Sequence, residues 1–277
     1  VSGRILIGGD EPWTGGEVTP VTECVLAPNA SAWTLDGTNT WIVGHRESAC
    51  VVVDPGPLAG GHREAIEQRI EERGHRVAGV VLTHGHVDHS AGAPEFAKRH
   101  GVDVRAWDPR HATPGPGSRD PQSLASGEVI DIEGLAMSVL GTPGHSSDSV
   151  CLVVDGAVLT GDTVLGRGTS LVAHPDGRLA EYFASLNELS RICAETDVSL
   201  LLPGHGPVIS DPQRVVEYYI AHRYERLSQV RFAVEGGAVN ARDVVEVVYA
   251  DVPREVWPAA EATVRAQLEF LANQGDE

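Results

Sequence analysis

Lysine is nearly absent from this chain: Lys98 is the single lysine among 21 basic residues, set against 39 acidic ones, for a formal net charge of -18. A surface so negative repels polyanions unless positive charge is gathered in one place, and no such run stands in the sequence. The scarcity of lysine itself reads as coding bias more than function. Cysteine is also sparse, and Cys24, Cys50, Cys151 and Cys193 show no CxxC spacing. Buried reduced thiols are the expectation, and a disulfide framework or a cysteine-bound zinc cluster is not. No apolar run approaches the roughly 20 residues that cross a bilayer, so no membrane partner is expected. The opening VSGRILIGGDEPW has no basic flank, apolar stretch or small-residue cleavage site, which sets cytoplasmic localisation as the expectation.

What the chain does have, through its first 210 residues, is a series of short apolar runs bounded by Gly, Pro and Asp: RILI, NTWIVG, ACVVVD, VAGVVLTH, VDVRAW, EVIDI, LAMSVLGT, SVCLVV, AVLTGD and VSLLLPGH. These read as strands. Amphipathic stretches at 62–73, 93–100 and 179–194 read as helices, spaced too unevenly for a regular βα repeat, so a mixed α/β layered fold is expected. Beyond Pro207 the strand signals stop. Residues 211–236 read as one long helix, with Asp211 as its cap, Pro212 at its first position and Gly236 at its end, and two further helices follow. The expected division is therefore a catalytic domain at 1–210 and a helical appendage at 211–277.

The chemistry concentrates in THGHVDH, residues 83–89, which follows an apolar strand and precedes a helix. Four ligand-type side chains, His84, His86, Asp88 and His89, fall within six positions. Neutral imidazole and carboxylate are the donors that zinc and related ions favour, and a turn between two rigid elements presents them from different directions. Four other strand ends repeat the pattern beside glycine or proline: Asp54 in VVVDPG, His145 in LGTPGH, Asp162 in VLTGD and His205 in LLLPGHGP. One such residue alone is more often a cap or turn residue, but five sites in order form a constellation.

That ordered set resembles the five motifs of the metallo-β-lactamase superfamily over about the first 210 residues. The resemblance implies an αββα sandwich. It further implies one metal on His84, His86 and His145, a second on Asp88, His89 and His205, Asp162 bridging them, and Asp54 orienting the ligand loop. Asp88 and Asp54 are thus the expected catalytic carboxylates. Two divalent ions are expected, zinc first, with iron or manganese accepted by the same donors. Such a pair acidifies a shared water to a pKa of about 7 and polarises the oxygen under attack. Gly85 stands where the oxygen-reducing branch commonly has Glu, which favours hydrolysis over redox chemistry.

The stretches GTNTWIVG, LLPGHGPVI with YYIAHRYER, and AAEATVRAQLEFLANQG resemble the subgroup that joins glyoxalase-like hydrolases and a lactamase-β-like endoribonuclease, in which a winged-helix-like domain follows the catalytic one. A small ester or thioester is the expected substrate. A single-stranded RNA is the alternative, disfavoured because residues 211–277 hold seven Arg and no Lys against twelve acids. A binding protein that retains the fold is the non-enzymatic reading, and a homodimer is allowed. Asn39 and the loop 166–170, with Arg167 and Thr169, are expected at the pocket mouth; Tyr219, His222 and Arg223 are further substrate-binding candidates, and for Tyr219 packing against the catalytic domain is the ordinary reading. Arg223 and Arg226, one turn apart, form either a small anion-binding spot or an ordinary solvated pair with Glu225. Trp107 and residues 111–121 are a candidate flap.

Overall fold

The computed structural model describes residues 11–274 apart from 117, 119, 121 and 252. The run RILI, expected as a strand, lies outside the described residues.

Two sheets face one another. The first has six strands in the order β1 (Gly16–Thr19), β2 (Thr22–Leu26), β3 (Asn39–Val43), β4 (Ala49–Val53), β5 (Arg76–Val81) and β6 (Val104–Arg105). The second is ordered β11 (Leu200–Pro203), β10 (Ala157–Gly161), β9 (Val150–Val154), β8 (Leu135–Gly141) and β7 (Val129–Ile132). Both are mixed: β4, β5 and β6 run parallel, as do β10 and β11, and the other pairs are antiparallel.

Sheets covered on both faces explain why the strands read as unbroken apolar runs. Val51 and Val53 of β4 point into the cluster between the sheets, while Cys50 and Val52 point outward against Ile66 and Ile70 of α1 (His62–Glu72) and Phe96 of α3 (Ala93–His100), which follows the single turn α2 (Val87–Ser90). In the second sheet Leu152 and Leu159 face inward. Cys151 and Val158 face Tyr182 and Leu186 of α4 (Leu179–Glu195) and Val216 and Tyr219 of α5 (Pro212–Glu235). This is the expected αββα sandwich. Helices α6 (Ala241–Val248) and α7 (Trp257–Gln274) complete the C-terminal part, with no strand after β11 among the described residues.

Helix α5 takes part in two cores. Its Val215, Val216, Tyr219 and Leu227 belong to the cluster on the second sheet, and Val230 and Ala233 pack with Val244, Val245, Trp257 and Val264 of the last two helices. Asp211 is the residue before α5, but its side chain makes no capping bond, and Gly236 at the far end has an ordinary negative φ of -77°. The helix is held by its buried face more than by its ends.

The β1–β2 hairpin has no counterpart in the expected strands. Glu23 breaks the apolar run of β2, yet it is buried, 3.1 Å from the guanidinium of the equally buried Arg73. The pair lets a charged residue sit in a covered strand.

Candidate metal centre

Asp54, Thr83, His145, Asp162 and His205 all follow the C-terminal ends of strands, those of β4, β5, β8, β10 and β11. These ends meet on one side of the sandwich. Backbone bonds stitch the two sheets together there: Val150 N–H donates to Thr83 O at 2.8 Å, and Asn39 N–H to Gly204 O at 2.8 Å.

Seven side chains converge from these loops. His84 Nε2 lies 3.0 Å from His86 Nδ1, which in turn lies 3.1 Å from His145 Nε2. His89 Nε2 and His205 Nε2 are 3.3 Å apart, and Asp88 Oδ2 is 3.2 Å from His205 Nε2. Asp162 stands between the groups, with Oδ1 3.5 Å from His89 Nε2 and Oδ2 3.4 Å from His205 and 3.8 Å from His145. Four donors around a tetrahedral ion at ~2.0–2.1 Å are separated by about 3.3 Å, the spacing these atoms already have. The trios His84–His86–His145, His84–His89–Asp162 and Asp88–His89–His205 could each hold a metal ion.

The imidazoles are turned by partners on their far sides. His89 Nδ1–H donates to Asp54 Oδ2 at 2.8 Å, His145 Nδ1–H to Leu171 O at 2.7 Å, and His205 Nδ1–H to Gly37 O at 3.2 Å. Thr83 Oγ1 gives its proton to Asp54 Oδ2 at 2.6 Å and so accepts from His84 Nδ1–H at 3.1 Å. In all four rings Nε2 is left with its lone pair toward the cluster, the arrangement a cation requires. The Oδ1 atom of Asp162 is buried without a hydrogen-bond partner, another group that fits a cation and little else.

The charge balance agrees. Burial favours the neutral form of His205, but Asp162 and Asp88 outweigh it and hold its pKa at about 10. Burial works against the ionised form of Asp88, yet His205 and His89 hold it at about 2. His84 and His145 are pushed down by burial. The carboxylates demand positive charge at the centre of the cluster, and protons supply it when metal does not.

Beside the cluster lies a cavity of about 520 Å³. His86, Asp88, His145, Asp162 and His205 form its floor, Trp33, Leu35 and Leu165 one wall, and Tyr249 and Val256 from the link between α6 and α7, with Ala259, Ala260 and Thr263 of α7, another. Arg167, Thr169, His222 and Arg223 line it as expected. Asn39 and Tyr219 do not. Asn39 is fully buried and donates from Nδ2 to Pro203 O and Gly206 O, both at 2.9 Å, so it fixes the β11 loop from behind. Tyr219 is equally buried, and its hydroxyl accepts from Leu165 N–H at 2.9 Å, supporting the wall without facing the space. Asp54, expected among the catalytic carboxylates, is also shut away from the cavity; it is a positioning residue. Trp107 packs on the inter-sheet core and is no part of the cavity lining.

Several contributors were not foreseen from sequence. Leu171 and Gly37 act through backbone carbonyls, which no side-chain motif reveals. Ser170 belongs to the loop expected at the pocket mouth, and what the sequence does not announce is that its Oγ donates to Asp162 O at 2.5 Å, tying that loop to the cluster. Thr38, whose Oγ1 donates to Asp88 Oδ2 at 3.5 Å, and the wall from α7 reach the site only through tertiary packing. Among the described residues no helix is long and apolar enough to cross a membrane.

A family described as the metallo-beta-lactamase superfamily matches residues 33–205, and one described as the beta-lactamase associated winged helix domain matches residues 241–276. The chain is 33% identical to the beta-lactamase-like protein 2 homolog of Drosophila melanogaster, covering 91% of this chain and 87% of that protein. It is 29% identical to the atrochrysone carboxyl ACP thioesterase of Aspergillus fumigatus, over 86% of this chain and 76% of the other. Its fold is similar to that of a beta-lactamase domain protein from Burkholderia ambifaria, with a TM-score of 0.79 at 23% identity, covering 94% and 88% of the two chains.

Proposed function

Because this chain belongs to the metallo-beta-lactamase superfamily, we propose that it is a dinuclear hydrolase of small thioesters or esters. The observation that carries the reading is the pair of donor trios flanking Asp162, their imidazoles turned inward by Asp54, Thr83, Leu171 and Gly37. His84, His86 and His145 would hold one ion, Asp88, His89 and His205 the other, and Asp162 both. The donors suit zinc, iron or manganese, and zinc is the first choice. When bound, two such ions supply a Lewis acid for the carbonyl oxygen and an acidified water as nucleophile.

The chain's own groups narrow the substrate. Trp33, Leu35, Val256 and Ala259 offer an acyl group an apolar surface beside the cluster. Asp88 is the carboxylate on the cavity floor that belongs to neither the bridge nor the orienting shell. As a metal ligand it is ionised, and so a poor proton donor. A site of this kind suits a leaving group that departs as an anion, and a thiol, with a pKa of about 8.5, does so far more readily than an amine or alcohol. The thioesterase named among the similar proteins supports the same choice. Within this reading residues 1–210 carry the chemistry, and 211–277 complete the pocket wall, the first part of α5 belonging also to the core of the second sheet.

The test is metal content by mass spectrometry together with hydrolysis of a thioester and of single-stranded RNA, on the wild type and Asp162→Ala. Two ions per chain with thioester cleavage are expected in the wild type, and at most one ion with turnover reduced by at least a thousandfold in the variant. A variant that retains two ions would overturn the bridging role. Metal-dependent RNA cleavage without thioester cleavage would overturn the substrate.

A further inference from the structure

The cavity floored by the metal cluster is also lined by Arg223 and Arg226 of α5, with His222 beside them. Arg223 is only 4% exposed, and its Nε has no hydrogen-bond partner. One of its terminal nitrogens donates to Ser170 O, and its guanidinium lies over the Tyr182 ring, 5.0 Å from the centroid. Among the described residues no carboxylate forms an ion pair with it. Arg226 is half-buried and likewise has no carboxylate partner; it donates to Gln229 Oε1 at 2.9 Å and lies 5.2 Å from the centre of the Tyr249 ring. Burial and the two neighbouring cations keep the His222 imidazole neutral, with its pKa held at about 4.

Such a pair is unusual in this molecule. Most of its arginines face acids, as Arg73 faces Glu23, Arg105 faces Glu128 and Arg191 faces Glu188 and Glu195. A guanidinium taken out of water without a counter-charge is costly, and the cost is removed when an anion docks against it. The acids that line this cavity are Asp88 and Asp162, both committed to the metal cluster on the floor. Leu165, Val256 and Ala260 give the same cavity an apolar stretch of wall.

We propose that Arg223 and Arg226 form an oxyanion-binding subsite, and that the substrate is an acidic thioester that places a carboxylate or phosphate there while its thioester group lies at the metal cluster. This rests on the thioester reading above. Guanidinium groups hold either oxyanion by charge-assisted hydrogen bonds, so the test separates the two. Arg226 carries it, because Arg223 also holds Ser170 and its loss would disturb the loop beside His145.

Two matched pairs are hydrolysed by the metal-loaded wild type and Arg226→Gln: succinyl- against butyryl-N-acetylcysteamine for a carboxylate on the acyl side, and butyryl-phosphopantetheine against butyryl-pantetheine for a phosphate on the thiol side. The readout is the acidic-to-neutral ratio of kcat/KM, in which general damage cancels. In one pair the wild type is expected to prefer the acidic member at least tenfold, chiefly through KM, and Arg226→Gln to abolish the preference. Equal rates within both pairs, or a ratio unmoved by the substitution, overturn the subsite. A second measurement needs neither metal nor turnover: calorimetric titration of metal-free protein with S-(3-carboxypropyl)-N-acetylcysteamine and with the S-butyl thioether of phosphopantetheine, each against its neutral counterpart. At least tenfold tighter binding of one acidic thioether, lost in Arg226→Gln, is expected, and equal affinities overturn the proposal. If no thioester is turned over, the hydrolase reading fails on its own and the titration still decides the subsite.

Discussion

Asp54 and Thr83 are joined twice: Oδ1 of Asp54 accepts from Thr83 N–H at 2.8 Å and Oδ2 from Thr83 Oγ1 at 2.6 Å, while the same Oδ2 also takes the Nδ1 proton of His89 at 2.8 Å. One buried carboxylate therefore fixes the start of the ligand loop and one of its rings. It touches three donors and needs both oxygens to do so.

Replacing Asp54 by Asn keeps the shape but turns an amide N–H toward one of those donors. The expected result is a 10–100-fold loss of metal affinity, the usual cost of removing an orienting partner. Thr83→Val, which removes a single hydroxyl, should lose less. Competition with a chromogenic chelator measures both, and unchanged affinity in Asp54→Asn would show that the ligands hold their places unaided.

Gly204 leads to a second prediction. A Cβ placed on it would stand 2.6 Å from Asp162 Oδ1 and 2.7 Å from His89 Cε1, closer than such atoms tolerate. Gly204→Ala should therefore displace two ligand side chains by a single methyl group. Circular dichroism should show the fold retained, with kcat/KM reduced at least a hundredfold and metal content lowered. An active variant with full metal content would place the cluster further from this backbone than the structure does.

The contrast between these residues and those found only in the structure shows what the sequence carries. His84, His86, Asp88 and His89 are legible because one loop holds them within six positions, and the strands before Asp54, Asp162 and His205 because both faces of each sheet are covered, leaving unbroken apolar runs. The β1–β2 hairpin was not legible, since Glu23 is neutralised by Arg73, 50 residues away along the chain. Asn39 looked like a pocket residue because polarity beside a strand suggests exposure, yet its amide serves backbone carbonyls of the β11 loop. Arg223 was a pocket candidate from sequence, but its burial over the Tyr182 ring of α4 follows only from the packing of the two helices.

His62 gives a pH dependence separate from the ligands. Thr40 Oγ1 donates to Asp54 O at 2.6 Å and so accepts from His62 Nε2–H at 2.8 Å, while burial lowers the His62 pKa from 6.5 to about 4. The ring is neutral when folded and gains a proton on unfolding below pH 6.5. Its contribution is thus fully present above the unfolded value, is lost as pH falls from 6.5 toward 4, and is flat below. Between pH 7.5 and 5 the loss should be about 2 kcal/mol. Urea unfolding of metal-free wild type and His62→Gln should show the wild type losing more stability over this interval. Parallel pH profiles would mean that His62 is hydrated or protonated in the folded state.

The C-terminal wall supplies the last prediction. Deleting everything after Ser210 would not test it, because α5 places Val215, Val216, Tyr219 and Leu227 in the core of the second sheet, and the remainder would be left with that face bare. A substitution within the wall is cleaner. Ala259 lines the cavity and is half-buried, so Ala259→Phe puts a ring into the space beside Val256 and Tyr249 without cutting a core contact. Long acyl thioesters should then lose at least tenfold in kcat/KM relative to acetyl thioesters, since a filled pocket rejects by steric overlap what an open one accepts by apolar contact. The rate on the acetyl substrate serves as the internal standard for folding and metal loading. If long and short substrates respond alike, the acyl chain leaves the metal cluster by the side of Trp33 and Leu35, and the two C-terminal helices frame the cavity without reading what fills it.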